Sequence, residues 1–299
     1  MPRPQWEDLP DTIRDTVQEH CGTVLKSVPV NEGLMPGLTA RLHTGAGDRF
    51  FLKAVPVEST AAHLYERERW ASSILPAALA SPRLHWSANT DGWIVMLFDH
   101  LEDGREADLS PASPDVPTVL DLVARLGDTL TPCPASDPPL VADNVGFLLA
   151  KGRHLLDKPE GVLPHRTLYV RALDGFTVDA LAGNTLLHYD LHPGNLHVTR
   201  ERLFIIDWGF AAAGAAWIDA AMLGPRFIEA GHAPGRVEEL LREIPSWRTA
   251  PPATVTGLVA LWTLFRTYKA MYGPEKDRMF RARAATAGKS WLEHRLTDS

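Results

Sequence analysis

The sequence changes character near residue 99, and this change limits the possible fold more than any other feature. Before it, short and partly alternating apolar runs at residues 25–30, 38–43 and 49–55 have the composition of β-strands. Turn-rich segments, residues 31–37 and 44–48, separate these runs. We therefore predict an antiparallel meander at the start of the chain.

The next segment alternates between helix and strand signals. Ser59 is a candidate N-cap for a helix over the residues that follow, and Pro76 stops that helical pattern. Residues 83–86 and 93–98 then have the pattern of two more strands, paired across a turn. The sequence thus predicts a small antiparallel β lobe over residues 1–99.

Helical patterns dominate after the polar, proline-rich residues 99–117, which suit a linker. The exception is residues 185–210, which have the pattern of two short strands around a polar loop. We therefore predict an α+β fold in which a larger, mainly helical lobe occupies residues 100–299. The predicted helices cover residues 116–130, 168–181, 218–229, 253–271 and 278–296.

Composition removes several classes of protein. A net charge of −7 over 299 residues argues against a basic nucleic-acid binder, and Cys21 and Cys133 are too few for a disulfide scaffold. The apolar run at residues 255–265 is shorter than the roughly 20 residues that span a bilayer. The first residues lack the apolar core of a signal peptide. We expect a cytoplasmic monomer or weak dimer with no membrane or nucleic-acid partner.

One segment, residues 186–209, carries the chemistry. Its two apolar stretches predict a strand hairpin through the turn TRER, with the loop HYDLHPGN at one end and Asp207 at the other. Three groups are then expected to converge: the carboxylate of Asp190, the amide of Asn195 and the carboxylate of Asp207. Magnesium prefers oxygen ligands and takes its remaining ligands from water and phosphate. The segment therefore predicts magnesium–phosphate chemistry.

The pattern His188-x-Asp190-x-x-x-x-Asn195, followed by DWG at residues 207–209, resembles the catalytic loop and metal-binding triad of kinases. The motif HxDxHPGN with DWG, in place of HRD with DFG, resembles the motif of the aminoglycoside phosphotransferase/choline kinase-like family of small-molecule kinases. The resemblance covers most of the chain and implies a bilobal protein kinase-like fold. It also implies ATP or GTP and Mg²⁺ as cofactors, with a small-molecule hydroxyl as the phosphate acceptor.

The resemblance assigns a role to each residue of the motif. Asp190 would accept, or at least orient, the proton of the substrate hydroxyl. Asn195 and Asp207 would hold magnesium, and His188 would brace the loop. His192 would donate to the γ-phosphate if it is protonated.

The resemblance also assigns residues to the nucleotide. Lys53 would hold the α- and β-phosphates, with Glu68 on the following helix as its ion-pair partner and Glu66 as a close competitor. The hinge at which backbone groups would meet adenine comprises Asp99, His100 and Leu101.

Two segments depart from the family pattern. The nucleotide loop has Gly33 and Gly37 but lacks GxGxxG. The resemblance assigns Gly33 of this loop to the nucleotide. Asp219 fits the aspartate that braces the catalytic loop, but Gly214-Ala215 stands where the family often has Gly-Asp before it.

The acceptor is the least constrained part of the prediction. The resemblance favours an aminoglycoside or another antibiotic, for resistance or self-protection; a choline-, sugar- or nucleoside-type metabolic kinase and a non-catalytic pseudokinase are alternatives. His188, Asp190 and His192 also permit a zinc hydrolase, which leaves Asn195 and Asp207 unexplained. A cationic acceptor would need carboxylates on the helical lobe, where the available ones are Glu229, Glu238, Glu239, Glu243 and Asp277.

Overall fold

The computed structural model describes residues 4–30 and 36–297 and divides into two compact units. The first unit comprises Met1–Glu106 together with Gly194–Ala211, and the second comprises Ala107–Pro193 and Ala212–Ser299. This division differs from the one drawn at residue 99, because the hairpin after the HYDLHPGN loop pairs with residues of the first unit.

A five-stranded antiparallel sheet forms the centre of the first unit, with the strand order β1-β2-β3-β5-β4. The first three strands are the predicted meander, and the last two are the predicted second pair. The strands are β1 (Val24–Pro29), β2 (Leu38–Thr44), β3 (Arg49–Pro56), β4 (Leu84–Thr90) and β5 (Trp93–Asp99).

Helices cover both faces of this sheet. Helix α1 (Asp11–Cys21), which the sequence analysis did not predict, buries Ile13 and Val17 in one hydrophobic cluster with Leu52 of β3. Helix α2 (Ala62–Ile74) packs its Tyr65 into a second cluster. Successive side chains of a strand point to opposite faces. Since Leu52 faces α1, the next residue, Lys53, faces α2.

The start of α2 differs from the sequence prediction. Ser59 is not its N-cap, because residues 57–61 first form turns and the helix begins at Ala62. The Ser59 hydroxyl instead accepts a hydrogen bond from the Ala61 amide at 3.2 Å, within the turn that leads into the helix.

The hairpin of the motif segment is present as predicted. Strands β8 (Leu196–Val198) and β9 (Leu203–Ile205) pair antiparallel, and β6 (Arg105–Glu106) adds a third strand beside β8. The Ile205 amide donates to the carbonyl of Ala80 at 2.8 Å, which fastens the hairpin to the segment that follows α2.

The second unit is mainly helical. The predicted helices over residues 116–130, 218–229 and 253–271 are confirmed to within one residue at each end, and the helix over 278–296 is confirmed to within three. The helices over Val141–Leu156 and Pro234–Leu241 were not predicted. The predicted helix over residues 168–181 is instead the short α5 followed by a turn of 3₁₀ helix, because Gly175 at φ 68° interrupts it. The helices are α3 (Asp115–Thr129), α4 (Val141–Leu156), α5 (Arg166–Ala172), α6 (Ile218–Glu229), α7 (Pro234–Leu241), α8 (Pro252–Tyr272) and α9 (Glu275–Thr297).

Two short strands complete the second unit, β7 (Thr185–Leu187) and β10 (Ala212–Gly214), which pair antiparallel. Strand β7 leads directly into the HYDLHPGN loop. The apolar run at residues 255–265 lies in α8, where nearly every one of its side chains is buried. Within the described ranges, no helix is long and apolar enough to cross a membrane.

Candidate active site

Lys53 lies between two carboxylates in the first unit. Its Nζ is 2.5 Å from Oε2 of Glu68 and 3.2 Å from Oδ1 of Asp207. Glu66, the other candidate partner, pairs with Arg69 at 2.8 Å. Because α2 presents one face to the sheet, only Glu68 of the two glutamates turns toward β3. The ion pair expected between Lys53 and Glu68 is therefore present.

Burial and charge act in opposite directions on this group. Burial alone lowers the pKa of Lys53, but the carboxylates of Asp207 and Glu68 outweigh it and hold that pKa above its usual range. Burial raises the pKa of Glu68 to about 7, against the lowering effect of Lys53. Lys53 is thus a fixed cation, and its charge offsets part of the effect of burial on the pKa of Glu68.

Asp207 has a backbone conformation that few residues adopt. Its φ is 66°, in the left-handed region that favours glycine, and its side chain is 44% exposed. The preceding residue, Ile206, donates its amide to the carbonyl of Asn195 at 3.0 Å, and Asn195 is buried. This backbone hydrogen bond holds Asn195 and Asp207 close together at the end of the hairpin. Strained non-glycine residues cluster at functional sites.

The hinge residues have structural contacts of their own. The Asp99 carboxylate accepts a hydrogen bond from the Arg83 amide at 3.1 Å and contacts the His85 ring, so it ties β4 to β5. Burial and the nearby Arg41 lower the pKa of His100. Leu101 is partly buried. The assignment of these three residues to adenine stays a prediction, and Gly33 lies outside the described residues.

The catalytic-loop residues lie in the second unit, immediately after β7. Asp219, in the first turn of α6, accepts hydrogen bonds from the amides of His188 at 2.9 Å and Tyr189 at 2.7 Å. Tyr189 has a φ of 69°, which costs a residue with a side chain roughly 1–2 kcal/mol. The two hydrogen bonds offset that strain and fix the loop. The bracing contact expected of Asp219 is therefore confirmed.

Asp190 follows this braced turn. Its amide donates to Nδ1 of the fully buried His188 at 3.3 Å. The role of His188 in bracing the loop stays a prediction. The Asp190 carboxylate lies 3.8 Å from Nε2 of His192 and 3.9 Å from Nη2 of Arg266. Burial acts to raise the pKa of Asp190, but His192, Arg266 and Arg226 together lower it. Asp190 is therefore an ionised carboxylate at neutral pH, able to accept a hydrogen bond from a hydroxyl.

His192 is neutral at neutral pH. Burial lowers its pKa to about 4, against the opposing effect of Asp190. A neutral imidazole has one N–H donor and one acceptor nitrogen. Its predicted role as a protonated donor to phosphate therefore requires a change in its surroundings; as it stands, it can donate only as an uncharged ring.

The comparisons decide the family. A family model described as "Phosphotransferase enzyme family" matches residues 36–250, which is well over half of the chain. The chain belongs to the phosphotransferase enzyme family. No curated protein matches the sequence.

Solved structures show that this phosphotransferase has the protein kinase-like fold expected from the motif. A thermostable mutant of aminoglycoside phosphotransferase APH(4)-Ia aligns with a TM-score of 0.62 and 17% identity, over 92% of this chain and 98% of that one. Choline kinase LicA from Streptococcus pneumoniae aligns with a TM-score of 0.64 and 15% identity, over 93% and 98%. Amicoumacin kinase hAmiN aligns with a TM-score of 0.58 and 12% identity, over 92% of both chains.

The donor groups of this phosphotransferase suit magnesium better than zinc. Asn195 and Asp207 offer oxygen atoms, which a hard cation prefers, and the Asp207 carboxylate keeps an exposed face. The zinc alternative needs nitrogen and carboxylate ligands gathered in one place. Residues 4–30 and 36–297 contain no group of three or more histidine, cysteine, aspartate or glutamate side chains arranged to hold a metal ion.

The sequence analysis did not identify two arginines that lie near Asp190. Arg226 in α6 and Arg266 in α8 are both buried, and both guanidinium groups lie against the ring of Trp262, at 5.1 and 4.8 Å from its centroid. In the sequence, Arg266 directly follows the apolar run of α8, and a charged residue at that position is typical of an ordinary helix end. A signal was available, because its spacing of four residues from Trp262 places both side chains on one face of the helix.

Proposed function

We propose that this phosphotransferase transfers the γ-phosphate of ATP, or of GTP, to a hydroxyl group of a small molecule, with Mg²⁺ as cofactor. The observation that carries the proposal is Lys53, held as a fixed cation between Glu68 and Asp207. Supporting it, a braced and ionised Asp190 precedes Asn195 by five positions in the chain. Solved structures of the same fold contain ADP or AMP-PNP.

The first unit binds the nucleotide phosphates. Lys53 donates to the α- and β-phosphate oxygens, and Glu68 holds the ammonium group in place so that little side-chain entropy is lost on binding. Asn195 and Asp207 would hold a magnesium ion, which when bound would supply positive charge to the phosphate oxygens. The strained backbone at Asp207 orients its carboxylate before the nucleotide arrives.

Asp190 acts on the acceptor. It accepts a hydrogen bond from the hydroxyl and orients the oxygen; a new bond forms from this oxygen to the γ-phosphorus while the bond from that phosphorus to the β,γ-bridging oxygen breaks. The nucleoside diphosphate leaves, and the hydroxyl proton passes to Asp190 or to solvent. The lowered pKa of Asp190 makes it a weak base, so orientation contributes more than proton abstraction.

We propose two kinds of acceptor, an antibiotic or a metabolite, each with a free hydroxyl. Structures of the same fold contain hygromycin B and kanamycin, which supports an antibiotic in a resistance role. However, three of the carboxylates considered for a cationic acceptor already form ion pairs within the protein. They are Glu229 with Arg226, Glu238 with Arg295, and Glu239 with Arg236.

The test is phosphate transfer to a panel of hydroxyl compounds, with ATP and GTP each labelled at the γ-phosphate. The panel contains aminoglycosides, macrolides, nucleosides, choline and sugars, and Asp190→Ala is the control enzyme. We expect Mg²⁺-dependent incorporation into at least one class, which the control enzyme lacks. Tight nucleotide binding with no incorporation into any class would instead indicate a non-catalytic binding module.

A further inference from the structure

The surroundings of Asp190 are strongly basic. Burial and the nearby Arg226 lower the pKa of Arg281, as expected for one cation close to another. Burial also lowers the pKa of Lys269, and the nearby cations Arg281, Lys151 and Arg266 lower it further. Three arginines, Arg226, Arg266 and Arg281, are coupled electrostatically to Asp190. Glu229 and Asp277 are carboxylates that are coupled to the same arginines.

Donors without partners are concentrated in the same place. Among the described residues, three buried side-chain nitrogen or oxygen atoms have no hydrogen-bond partner: Oη of Tyr189, Nε of Arg226 and Nε of Arg266. Tyr189 precedes Asp190 and is coupled electrostatically to it and to Arg266. Buried donors are nearly always paired in folded proteins, and leaving one unpaired lowers stability. Three together beside the catalytic aspartate indicate a site for an acceptor group rich in oxygen.

Arg266 is placed to meet such a group. Its side chain is only 8% exposed, and its Nη2 is 3.9 Å from Oδ1 of Asp190, beyond hydrogen-bond distance. Burial and the nearby Arg226 lower the pKa of Arg266 to about 9, against the opposing effect of Asp190. The two guanidinium groups share the ring of Trp262, which supplies cation–π attraction but no hydrogen-bond acceptor of ordinary strength. A second anion beside Asp190 would accept hydrogen bonds from both guanidinium groups.

We propose that the acceptor of this phosphotransferase carries an anionic group, a carboxylate or a phosphate, that binds to Arg266 with Arg226 and Arg281 while its hydroxyl reaches Asp190. Guanidinium groups recognise both kinds of anion through paired, charge-assisted hydrogen bonds. This inference rests on the proposed function, since it names the substrate class of the same reaction. It also disfavours a polycationic acceptor, which these arginines would repel.

The test uses four related sugars that differ in charge: glucose 6-phosphate, glucuronate, glucose and glucosamine. Binding to the intact protein is measured by calorimetry at low ionic strength, with saturating AMP-PNP and Mg²⁺ so that the nucleotide phosphates are already in place. We expect the two anionic sugars to bind at least about tenfold more tightly than glucose, and glucosamine to bind most weakly.

Variants identify the residues responsible. Arg266→Gln and Arg281→Gln should each reduce the preference for the anionic sugars about tenfold or more. Arg283→Gln, an exposed residue of the same helix as Arg281, should leave it unchanged. Arg281 is only partly buried, so its variant keeps the test usable if Arg266→Gln fails to fold, as judged by circular dichroism.

Several outcomes would overturn the inference: no preference for the anionic sugars, anion binding that AMP-PNP abolishes, or equal effects of Arg281→Gln and Arg283→Gln. Abolition by AMP-PNP would mean that the anion occupies the nucleotide phosphate site. AMP-PNP affinity is measured in the same experiments and tests the proposed function separately. Intact Mg²⁺-dependent nucleotide binding with no preference for the anionic sugars would contradict this inference and leave the proposed function standing.

Discussion

At the scale of single residues, two strained positions mark the site. Tyr189 and Asp207 both have a positive φ, and each lies beside a residue assigned to the reaction or is one itself. The strain at Tyr189 persists because Asp219 accepts two backbone hydrogen bonds from the loop. Hydrogen bonds to a charged group contribute about 1.5–3 kcal/mol each, so the two together exceed the cost of the strain. Rigid positioning of Asp190 follows.

His192 gives a prediction about pH dependence. Because its pKa is lowered to about 4, its ionisation should produce no step in the pH profile of kcat/KM between pH 5.5 and 8, where an ordinary histidine titrates near 6.5. His192→Asn should therefore change the magnitude of kcat/KM and leave the shape of this profile unaltered. Steady-state kinetics of both proteins across this range provide the measurement. A step near pH 6.5 that only the variant lacks would show that His192 is protonated during turnover.

The same histidine affects stability. The unfolded chain takes up a proton on His192 near pH 6.5, whereas the folded protein does so only near pH 4. Between these values the unfolded state binds more protons, so the contribution of His192 to the free energy of unfolding falls as the pH is lowered from about 6.5 to 4.

At the scale of elements, one strand and one helix position the nucleotide lysine. Strand β3 alternates between the α1 face and the α2 face of the sheet, and this alternation turns Lys53 toward Glu68. The pair was expected from the family resemblance, and the alternation of β3 gives the physical reason for it. The choice between Glu66 and Glu68 required the structure, since the two glutamates are only two positions apart on a helix rich in charge.

The two glutamates of α2 form a matched pair of variants. Glu68→Gln removes the charged partner that positions Lys53, so AMP-PNP with Mg²⁺ should bind about tenfold more weakly. Glu66→Gln, on the same helix, removes a carboxylate that pairs with Arg69 and should leave the affinity within about twofold. Calorimetric titration gives both values. Equal losses in the two variants would mean that the pairing with Lys53 has no role in nucleotide binding.

Two glycines of the second unit test the turn that ends the α5 segment and the helical conformation of α4. Gly175 has a φ of 68° in the turn that ends the α5 segment, and Gly146 lies exposed within α4; an added Cβ would meet no atom within 4 Å at either position. Gly175→Ala should lower the free energy of unfolding by about 1 kcal/mol through backbone strain. Gly146→Ala should raise it by roughly 0.5–1 kcal/mol. Denaturant titration distinguishes these signs, and stabilisation by Gly175→Ala would contradict the assigned turn.

At the scale of the whole molecule, the sequence was sufficient for the fold class, the family and the meander, whereas the roles of the residues in the catalytic and metal motifs stay predictions. It was insufficient for Arg226 and Arg266, because their charge lies within apolar helical patterns and only tertiary packing brings them to Asp190. It was also insufficient for the strain at Tyr189, since a backbone dihedral angle leaves no pattern in side-chain composition. Helices α1, α4 and α7 were missed although their buried residues have helical spacing, as Val141, Val145 and Leu148 show in α4.

The central claim is that nucleotide binding and acceptor activation depend on separate residues of one reaction. Asp190→Asn preserves the size of the side chain and removes its charge, whereas Asp207→Asn weakens the magnesium ligand. Both proteins are titrated with AMP-PNP, with and without Mg²⁺, and assayed for transfer to the best acceptor found in the panel. We expect Asp190→Asn to lose transfer by at least about 10³-fold with nucleotide affinity unchanged. Asp207→Asn should lose the Mg²⁺-dependent part of that affinity. Near-normal transfer by Asp190→Asn would contradict the account.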